Sequence, residues 1–392
     1  MLKTKKNYLK WIIISLTIFV TIFTNIRMSS DAATLQYTQE QYDTLIRFGI
    51  TAPLGVVGYD LSEIHALTYL DWAKESLSVP DGVEYIHVLK MRFNKDDSLD
   101  QILFDQFLQD LPNLIARNIG STWLIGNEPD CYWQDNLFPE IYAERFFAVT
   151  NIINSEDETA LVGFGSIVQP TPIRLRYLER SLKKLEELSG SKENAMKMID
   201  FWSIHSFILN EEPITDTQKP WGAGHAIGFD CSADDCFDLV IITDYADTYS
   251  IDIFEQRISN FRMWMEIIGE REKPLWITEY GSLLPDWEVY CSDPVWCEPY
   301  NNWPSTKDNI NFLVDSFDFL LNTSNGATGL PNDENKLVQR WYWYSLNDHL
   351  DSFGGSLFDP DNDKQITELG KAYKRYIEFL IFPKTFLPII FK

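Results

Sequence analysis

Short apolar segments alternate with amphipathic segments along most of this chain, and this alternation limits the possible folds more than any other feature. The apolar segments are typical of buried parallel strands, whereas the segments between them repeat apolar residues at helical spacing. The predicted strands are 48–57, 66–72, 84–93, 123–125, 160–168, 199–207, 274–281 and 338–346, and the predicted helices are 38–47, 99–117, 138–153, 172–188, 254–268, 306–321 and 368–380. Eight strands alternating with helices predict an α/β fold, a (β/α)8 TIM barrel that forms a single domain over residues 38–380.

Two long connections interrupt the alternation. Residues 209–248 follow the sixth predicted strand, and residues 283–305 follow the seventh. Both leave from the carboxyl ends of strands, where barrels carry their chemistry, and loops of this length are usually functional. An open, doubly wound sheet is the alternative fold, but no glycine-rich phosphate loop follows an early strand.

The first 33 residues are expected to direct the protein rather than to fold with it. Lysines precede an apolar run at 11–23, and mostly small residues follow at 29–33, which is typical of a signal peptide or an uncleaved signal anchor. We therefore expect a secreted or cell-surface protein. An uncleaved segment would attach the protein to the membrane or the cell surface. The apolar tail 381–392 is too short to span a bilayer.

Charge and cysteine content restrict the possible partners. A formal net charge of −25 makes nucleic acid an unexpected partner, because an acidic surface repels phosphate groups. Cys231 and Cys236 are close in sequence, as are Cys291 and Cys297, so short disulfides are expected, with free thiols as the alternative. Cys131 is left over. The cysteine spacing does not match a zinc site, and no metal or cofactor is expected.

Two predicted strands end in a glutamate. The apolar run 123–125 stops at Asn127 and Glu128, and the run from 274 delivers Glu279 just before a glycine. A single glutamate at a strand end would most simply form a surface salt bridge. Two of them at the carboxyl ends of barrel strands provide the pair of carboxyl groups that cleavage of a glycosidic bond requires.

Three motifs around these residues resemble a known clan of enzymes. The segments 126–129 (GNEP), 276–281 (WITEYG) and 341–343 (WYW) look like the pattern of the retaining glycoside hydrolases with (β/α)8 barrels, the clan A type. The segment 69–72 (YLDW) and the compact layout are most similar to the glycosyl hydrolase catalytic-core group that includes endo-β-1,3-glucanases. The resemblance spans residues 48–380.

The resemblance implies a role for each glutamate. Glu128 would be the acid/base and Glu279 the nucleophile of a double displacement on a β-linked glycan. The nucleophile must be ionised and the acid must start neutral, so their surroundings should separate the two pKa values. For retention of configuration the two carboxyl groups should lie about 5–5.5 Å apart.

Further residues are expected to bind the sugar. Asn127 would hydrogen-bond the 2-hydroxyl, and His205 would contact the nucleophile or the substrate, with packing in the core as its alternative. Trp343, rather than Trp341 on the same strand, is predicted to form an apolar floor under the sugar ring. The remaining candidates for sugar contacts are Tyr280, Arg92 and Asp71, and those for outer subsites are Asp348, Asp351, Trp133, Trp287 and Trp296.

The resulting hypothesis is a monomeric glycosidase that acts on a polysaccharide or an oligosaccharide. Two alternatives remain open, a carbohydrate-binding protein without turnover and a cell-surface adhesion protein on a barrel scaffold. A transglycosylase would use the same residues with a sugar as the acceptor. The sugar, the linkage and the choice between internal and terminal cleavage stay open.

Overall fold

The computed structural model describes residues 37–73, 75, 78–214, 217–229, 237–286 and 303–382. The predicted leader, most of the apolar tail, the two predicted cysteine pairs and the candidates Trp287 and Trp296 lie outside these residues. Within the described ranges, no helix is long and apolar enough to cross a membrane.

Eight parallel strands form a closed barrel, so the predicted fold is confirmed. The strands are β1 (Phe48–Thr51), β2 (Thr68–Asp71), β3 (Glu84–Leu89), β4 (Thr122–Ile125), β5 (Leu161–Ile167), β6 (Phe201–His205), β7 (Leu275–Tyr280) and β8 (Arg340–Trp343). Each strand pairs with its neighbours in sequence, and β1 pairs with β8 to close the sheet, with Phe48 opposite Trp341. Parallel strands that are each followed by helix or loop must present all their carboxyl ends at one edge.

Helices surround the barrel. They are α1 (Gln39–Leu45), α2 (Asp97–Arg117), α3 (Pro139–Glu156), α4 (Pro172–Ser189), α5 (Lys192–Lys197), α6 (Ile251–Ile267), α7 (Thr306–Asn322) and α8 (Glu368–Ile381). Capping fixes several of their starts: the Asp96 side chain accepts from the Leu99 N–H, and Ser305 forms a capping box with Asp308. Short 3₁₀ helices lie at Leu61–Ile64, Phe237–Leu239, Tyr245–Tyr249 and Pro331–Asp333.

Two packed layers hold the barrel together. Inside it, Leu124, Phe201, Trp276 and Tyr342 fill the interior, with the Phe201 and Trp276 rings stacked at 4.0 Å. Gly49 leaves room for this layer, because a Cβ there would lie 2.2 Å from the Tyr342 ring. Between the strands and the helices lies the larger core. A filled interior leaves the carboxyl edge of the strands as the place for a site.

Several strands are shorter than the sequence predicts. β1 ends at Thr51 rather than at residue 57, and β3 ends at Leu89 rather than at 93. In both places the chain leaves the sheet at the carboxyl edge, and its backbone finds other hydrogen-bond partners. Ala52, the first residue after β1, donates to the Leu70 carbonyl, and Met91, the second residue after β3, donates to the Asp135 carboxylate. The residues that were predicted as strand but lie beyond these ends therefore form loops at the carboxyl edge of the barrel.

Candidate active site

The segment after β4 carries Glu128 into the site in an unusual backbone conformation. Gly126 has φ = +93°, and a Cβ there would lie 2.8 Å from the Tyr142 ring. Glu128 itself has φ = +45°, which is rare for a residue with a side chain and costs of order 1–3 kcal/mol. The Glu128 N–H donates to the Ser166 carbonyl at 2.9 Å. The surrounding contacts therefore hold this glutamate in a conformation that it would not adopt alone.

A buried carboxylate anchors the same loop. One oxygen of Asp135, Oδ2, accepts from the Asn127 N–H at 2.9 Å and from the Met91 N–H at 2.8 Å. Further along the loop, buried Asp130 pairs with Arg174, whose Nε donates to Glu211 at 2.9 Å. These buried groups tie the loop after β4 to the ends of its neighbours, so Glu128 rests on a rigid base.

Glu279 lies at the end of β7, beside β6. It is opposite His205 in the sheet, and its carbonyl accepts from the Ser206 N–H at 2.9 Å. Gly281 then turns the chain with φ = +145°, where a Cβ would lie 2.7 Å from the Tyr344 carbonyl. The glycine is required because only a residue without a side chain fits this turn.

His205 joins the two glutamates. Its Nδ1 lies 2.9 Å from Glu128 Oε1, and its Nε2 lies 3.2 Å from Glu279 Oε1. Each of the three residues is at least 95% buried. One ligand atom from each of the three, two carboxylate oxygens and a ring nitrogen, lies within 4.8 Å of the others. His205 therefore contacts both glutamates, and the three side chains meet because the carboxyl ends of β4, β6 and β7 lie at one edge of the barrel.

Burial and charge shift the protonation of this cluster. Burial raises the pKa of Glu279 to about 8, since the loss of solvation and the charge of Glu128 outweigh the attraction of His205 and Lys90. Burial opposes charging of His205, but the carboxylates of Glu279 and Glu128 outweigh it and raise the pKa of that ring. Groups this close titrate as one unit. The cluster thus retains a proton at neutral pH.

A cavity of about 480 Å³ opens above the two glutamates. Aromatic and apolar side chains form much of its wall, and the polar lining includes Asn127, Gln134 and Lys90. The aromatic lining residues are Trp72, Trp133, Phe207, Trp221, Tyr344 and Phe353. This combination of aromatic planes with a few polar groups is typical of sites for small molecules and sugars.

Asn127 lines this cavity as predicted for a sugar contact. Its Oδ1 accepts from Trp72 Nε1 at 2.8 Å, and its Nδ2 donates to Gln134 at 3.2 Å. These bonds orient the amide between β2 and the loop after β4. Its predicted bond to a sugar hydroxyl stays a prediction.

The structure places Trp343 outside the cavity, so the predicted apolar floor is wrong for that residue. Trp343 is fully buried between β8 and the helices, where it contacts Phe312 and Phe317, and its Nε1 donates to the Gly355 carbonyl at 2.7 Å. Successive side chains of a strand point to opposite faces, so the next residue faces the cavity. That residue is Tyr344, and Trp341 likewise points outward.

Three other predicted sugar contacts lie away from the glutamates. Tyr280 is fully buried against Phe254 and α7, so it packs in the core instead of contacting a sugar. Asp71 accepts from the Tyr85 hydroxyl at 2.7 Å and from the Ala73 N–H, so it closes the end of β2 instead of lining the cavity. Arg92 donates to backbone carbonyls and to Asp97, and it lines an adjoining cavity.

Of the described candidates for outer subsites, one lies on the rim of the cavity and two do not line it. Trp133 is half exposed on the cavity rim, where its Nε1 donates to the Gly222 carbonyl at 3.1 Å. Asp348 is buried and accepts from the Tyr344 hydroxyl at 2.7 Å, so it orients a lining residue. Asp351 is exposed and does not line the described cavities around the glutamates.

Several lining residues were not predicted. Trp72 ends the YLDW segment, and its position one residue beyond β2 was a usable signal. Tyr344 follows from the alternation of β8 once the outward positions of Trp341 and Trp343 are known. Gln134, Lys90 and Trp221 lie in loops, where the sequence carries no periodic signal for the direction of a side chain.

The same three residues could bind a metal ion. Among the described residues, Glu128, His205 and Glu279 are the group whose ligand atoms lie close enough to hold one, and an imidazole with two carboxylates suits zinc. Both ring nitrogens of His205 already contact a carboxylate, however. A metal would have to displace these contacts.

No protein-family profile matches the sequence, and no curated protein matches it. Solved structures do. The chain is similar to a GH128 (subgroup I) endo-β-1,3-glucanase from Amycolatopsis mediterranei in complex with laminaritriose, with 17% identity, a TM-score of 0.47 and coverage of 84% of this chain and 99% of that one. It is similar to a subgroup II endo-β-1,3-glucanase from Sorangium cellulosum, with 16% identity, a TM-score of 0.47 and coverage of 84% and 97%.

A third similar structure is the GH128 (subgroup III) curdlan-specific exo-β-1,3-glucanase from Blastomyces gilchristii in complex with glucose. Its identity is 17%, its TM-score is 0.49, and the match covers 84% of this chain and 97% of that one. Similarities this distant carry no conclusion about activity, which depends on the chain's own residues.

Proposed function

We propose that the protein is a retaining glycoside hydrolase that cleaves a β-linked glycan, with Glu128 as the acid/base and Glu279 as the nucleophile. The observation that carries the proposal is the pair of buried carboxyl groups at the ends of β4 and β7, in contact with one histidine and open to an aromatic cavity. One oxygen of Glu128 lies within 4.8 Å of one oxygen of Glu279. This closeness fits the carboxyl separation of about 5–5.5 Å in retaining enzymes better than the separation of about 6.5–9.5 Å in inverting ones.

The chemistry follows from this geometry. In the first step a Glu279 oxygen bonds to the anomeric carbon while Glu128 gives its proton to the leaving oxygen, which breaks the glycosidic bond. In the second step Glu128 takes a proton from water, the water oxygen bonds to the anomeric carbon, and Glu279 leaves. One proton shared between the two carboxyl groups is sufficient for both steps.

The cavity wall suits a sugar. Trp72 and Phe207 both lie about 6 Å from the Tyr344 ring, measured between ring centroids, so three aromatic rings surround one part of the cavity. Aromatic planes pack against the C–H faces of a pyranose, and Asn127 and Gln134 offer amides to its hydroxyl groups. Tyr344 thus takes the role that the sequence suggested for Trp343.

Hydrolysis of a panel of β-glycans tests the proposal, with β-1,3-glucan first because of the motif resemblance. The parent is compared with Glu128→Gln, Glu279→Gln and the matched control Glu158→Gln, which changes an exposed glutamate outside the described cavities. We expect the parent and the control to release reducing sugar and both site variants to lose about a thousandfold or more in rate. A chelator should leave the parent rate unchanged.

Other outcomes would favour another function. Loss of activity on chelation, with recovery on adding zinc, would indicate that the cluster of Glu128, His205 and Glu279 works through a metal. Binding of a glycan by the parent and by both site variants, with no release of sugar, would indicate a carbohydrate-binding protein. Release of sugar by Glu279→Gln at the parent rate would contradict the assigned roles.

We further propose that the protein acts outside the cytoplasm as a monomer. The basic, apolar and small-residue order of its first 33 residues supports export. Fractionation of cells that express the full chain should find it in the medium or on the cell surface, and its mass in solution should match one chain. Retention in the cytoplasm would contradict the export proposal.

A further inference from the structure

A second cavity, of about 410 Å³, adjoins the one above the glutamates. The two share Lys90, Trp133 and Gln134, so they lie side by side. The second cavity therefore has the position of a subsite next to the cleaved bond, an interpretation that rests on the proposed function.

This second cavity is basic in a strongly acidic protein. The chain carries a net charge of −25, yet Lys90, Lys95, Lys219 and Arg92 all line the cavity. Within the described part of the chain, the three lysines form no ion pair with a carboxylate, whereas Arg92 pairs with Asp97. The acidic lining residue Asp135 is 2% exposed, and one of its oxygens is occupied by two N–H groups.

Aromatic rings lie beside these lysines. Tyr132 and Trp133 are 38% and 50% exposed and meet edge to face, with ring centroids 4.9 Å apart. Lys219 Nζ lies 5.8 Å from the centroid of each ring. Exposed rings with an ammonium group next to them offer a sugar both a stacking surface and a positive charge.

We propose that the sugar bound next to the cleaved bond carries an acidic group, a carboxylate or a sulfate ester. That group contacts Lys90 and Lys219 while its ring packs on Trp133. A neutral glycan offers these lysines only hydroxyl oxygens, whereas an acidic one also offers them an opposite charge. Elsewhere the acidic surface of the protein repels an anionic glycan. The basic cavity therefore selects the acidic sugar and positions it relative to the glutamates.

Calorimetric binding to the Glu279→Gln variant tests the proposal without depending on turnover. The probes are a β-linked glucose oligomer, the same oligomer with a sugar oxidised to the 6-carboxylate, and the same oligomer with a 6-sulfate. We expect an acidic oligomer to bind about tenfold or more tightly than the neutral one, as a contact with a charged group is worth about 1.5–3 kcal/mol. The preference should shrink as salt is added.

Substitution of the lysines locates the preference. In the Glu279→Gln background, the further changes Lys90→Gln and Lys219→Gln should bring the acidic and neutral oligomers to equal affinity. Thermal melting in a single transition shows that this variant is folded. Adding Lys371→Gln and Lys374→Gln instead, the same charge change on α8, should keep the preference. The comparison between the two acidic oligomers identifies the acidic group.

Two results would overturn the proposal. One is equal or tighter binding of the neutral oligomer by Glu279→Gln. The other is a preference for the acidic oligomer that survives the double lysine change. Failure of the proposed function would differ from both, since it would remove hydrolysis by the parent enzyme without changing these ratios of affinity.

Discussion

The His205 ring contacts a carboxyl group on each side, and the nearby charge of Glu128 raises the pKa of Glu279. The sequence predicts that surroundings separate the two pKa values, with Glu279 ionised. Instead, burial raises the pKa of Glu279 to about 8, because desolvation exceeds the attraction of the imidazole. We therefore infer that the proton of Glu279 is the one that the reaction uses: substrate contacts move it to Glu128, so the two glutamates share it.

The shared proton predicts how activity depends on pH. A Glu279 pKa of about 8 means that the pair keeps its proton below that pH and loses it above. Without the proton the leaving oxygen is not protonated, so kcat/KM should fall as the pH rises past about 8. Initial rates at low substrate concentration, measured from acidic to alkaline pH, test this. A value that stays constant well above pH 8 would contradict a shared proton.

Replacing the histidine should change the pH above which kcat/KM falls. His205 lowers the pKa of Glu279, so His205→Gln removes this attraction and the pKa should rise further. The fall in kcat/KM should then begin at a higher pH, together with a lower maximum. His349→Gln is the matched control, since that histidine is exposed and pairs with Asp361 outside the cavity. If kcat/KM of His205→Gln began to fall at the same pH as that of the parent, or at a lower pH, His205 would only pack.

For single residues, the sequence is most informative about position where a motif ends a strand. Glu128, Glu279 and His205 each follow or end an apolar run, and their side chains meet because parallel strands end together. The predicted position of Trp343 in the cavity is wrong because of the composition of its strand. In the run of aromatic residues on β8, both faces of the strand are apolar, so hydrophobicity does not show which side faces the site.

At the scale of elements, the loop after β4 determines where Glu128 lies. Asp135 Oδ2 receives the N–H groups of Asn127 and Met91 and thereby joins this loop to the end of β3. Burial raises the pKa of Asp135 to about 6, which leaves it ionised at neutral pH. The loop thus depends on one oxygen atom for two buried hydrogen bonds.

Two substitutions at Asp135 should differ sharply. Asp135→Ala leaves both N–H groups without an acceptor, at about 1–3 kcal/mol each, so unfolding free energy and kcat should both fall. Asp135→Asn places an amide oxygen where Oδ2 lies and should preserve most of both. Thermal melting and initial rates on the same preparations test the contrast. Equal loss in the two variants would mean that the charge, rather than the oxygen position, matters.

The sequence predicts long, periodic elements well and small ones poorly. Every barrel strand overlaps its predicted segment, and the predicted helices around the barrel are present. The short helix α5 and the strand pair Phe358–Asp359 and Gln365–Ile366 were not predicted. Elements of this length show no full hydrophobic period, so they depend on tertiary contacts.

At the scale of the whole molecule, closure of the barrel unites the first and last parts of the chain. β1 pairs with β8, and Phe48 packs edge to face against Trp341 at 4.7 Å. From the last helix, α8, Tyr376 and Tyr373 contact Phe317 of α7. The core is therefore completed only when α8 has docked.

This closure predicts one unfolding transition. A chain limited to residues 37–382 should melt as a single unit in calorimetry, since its ends share one core. A chain that stops at Thr367 lacks α8 and the large side chains it buries, each worth about 3–5 kcal/mol when aromatic, and should fail to fold. Two separate transitions, or a folded chain without α8, would contradict the single-domain prediction for residues 38–380.

The most direct test of the account is the configuration of the sugar that is released first. Proton NMR of a β-glycan digest, recorded within the first minutes of reaction, distinguishes the two anomers before they interconvert. Attack by Glu279 followed by attack of water predicts the β anomer as the first product, because two inversions restore the configuration. Release of the α anomer would contradict a covalent intermediate on Glu279 and, with it, the proposed double displacement.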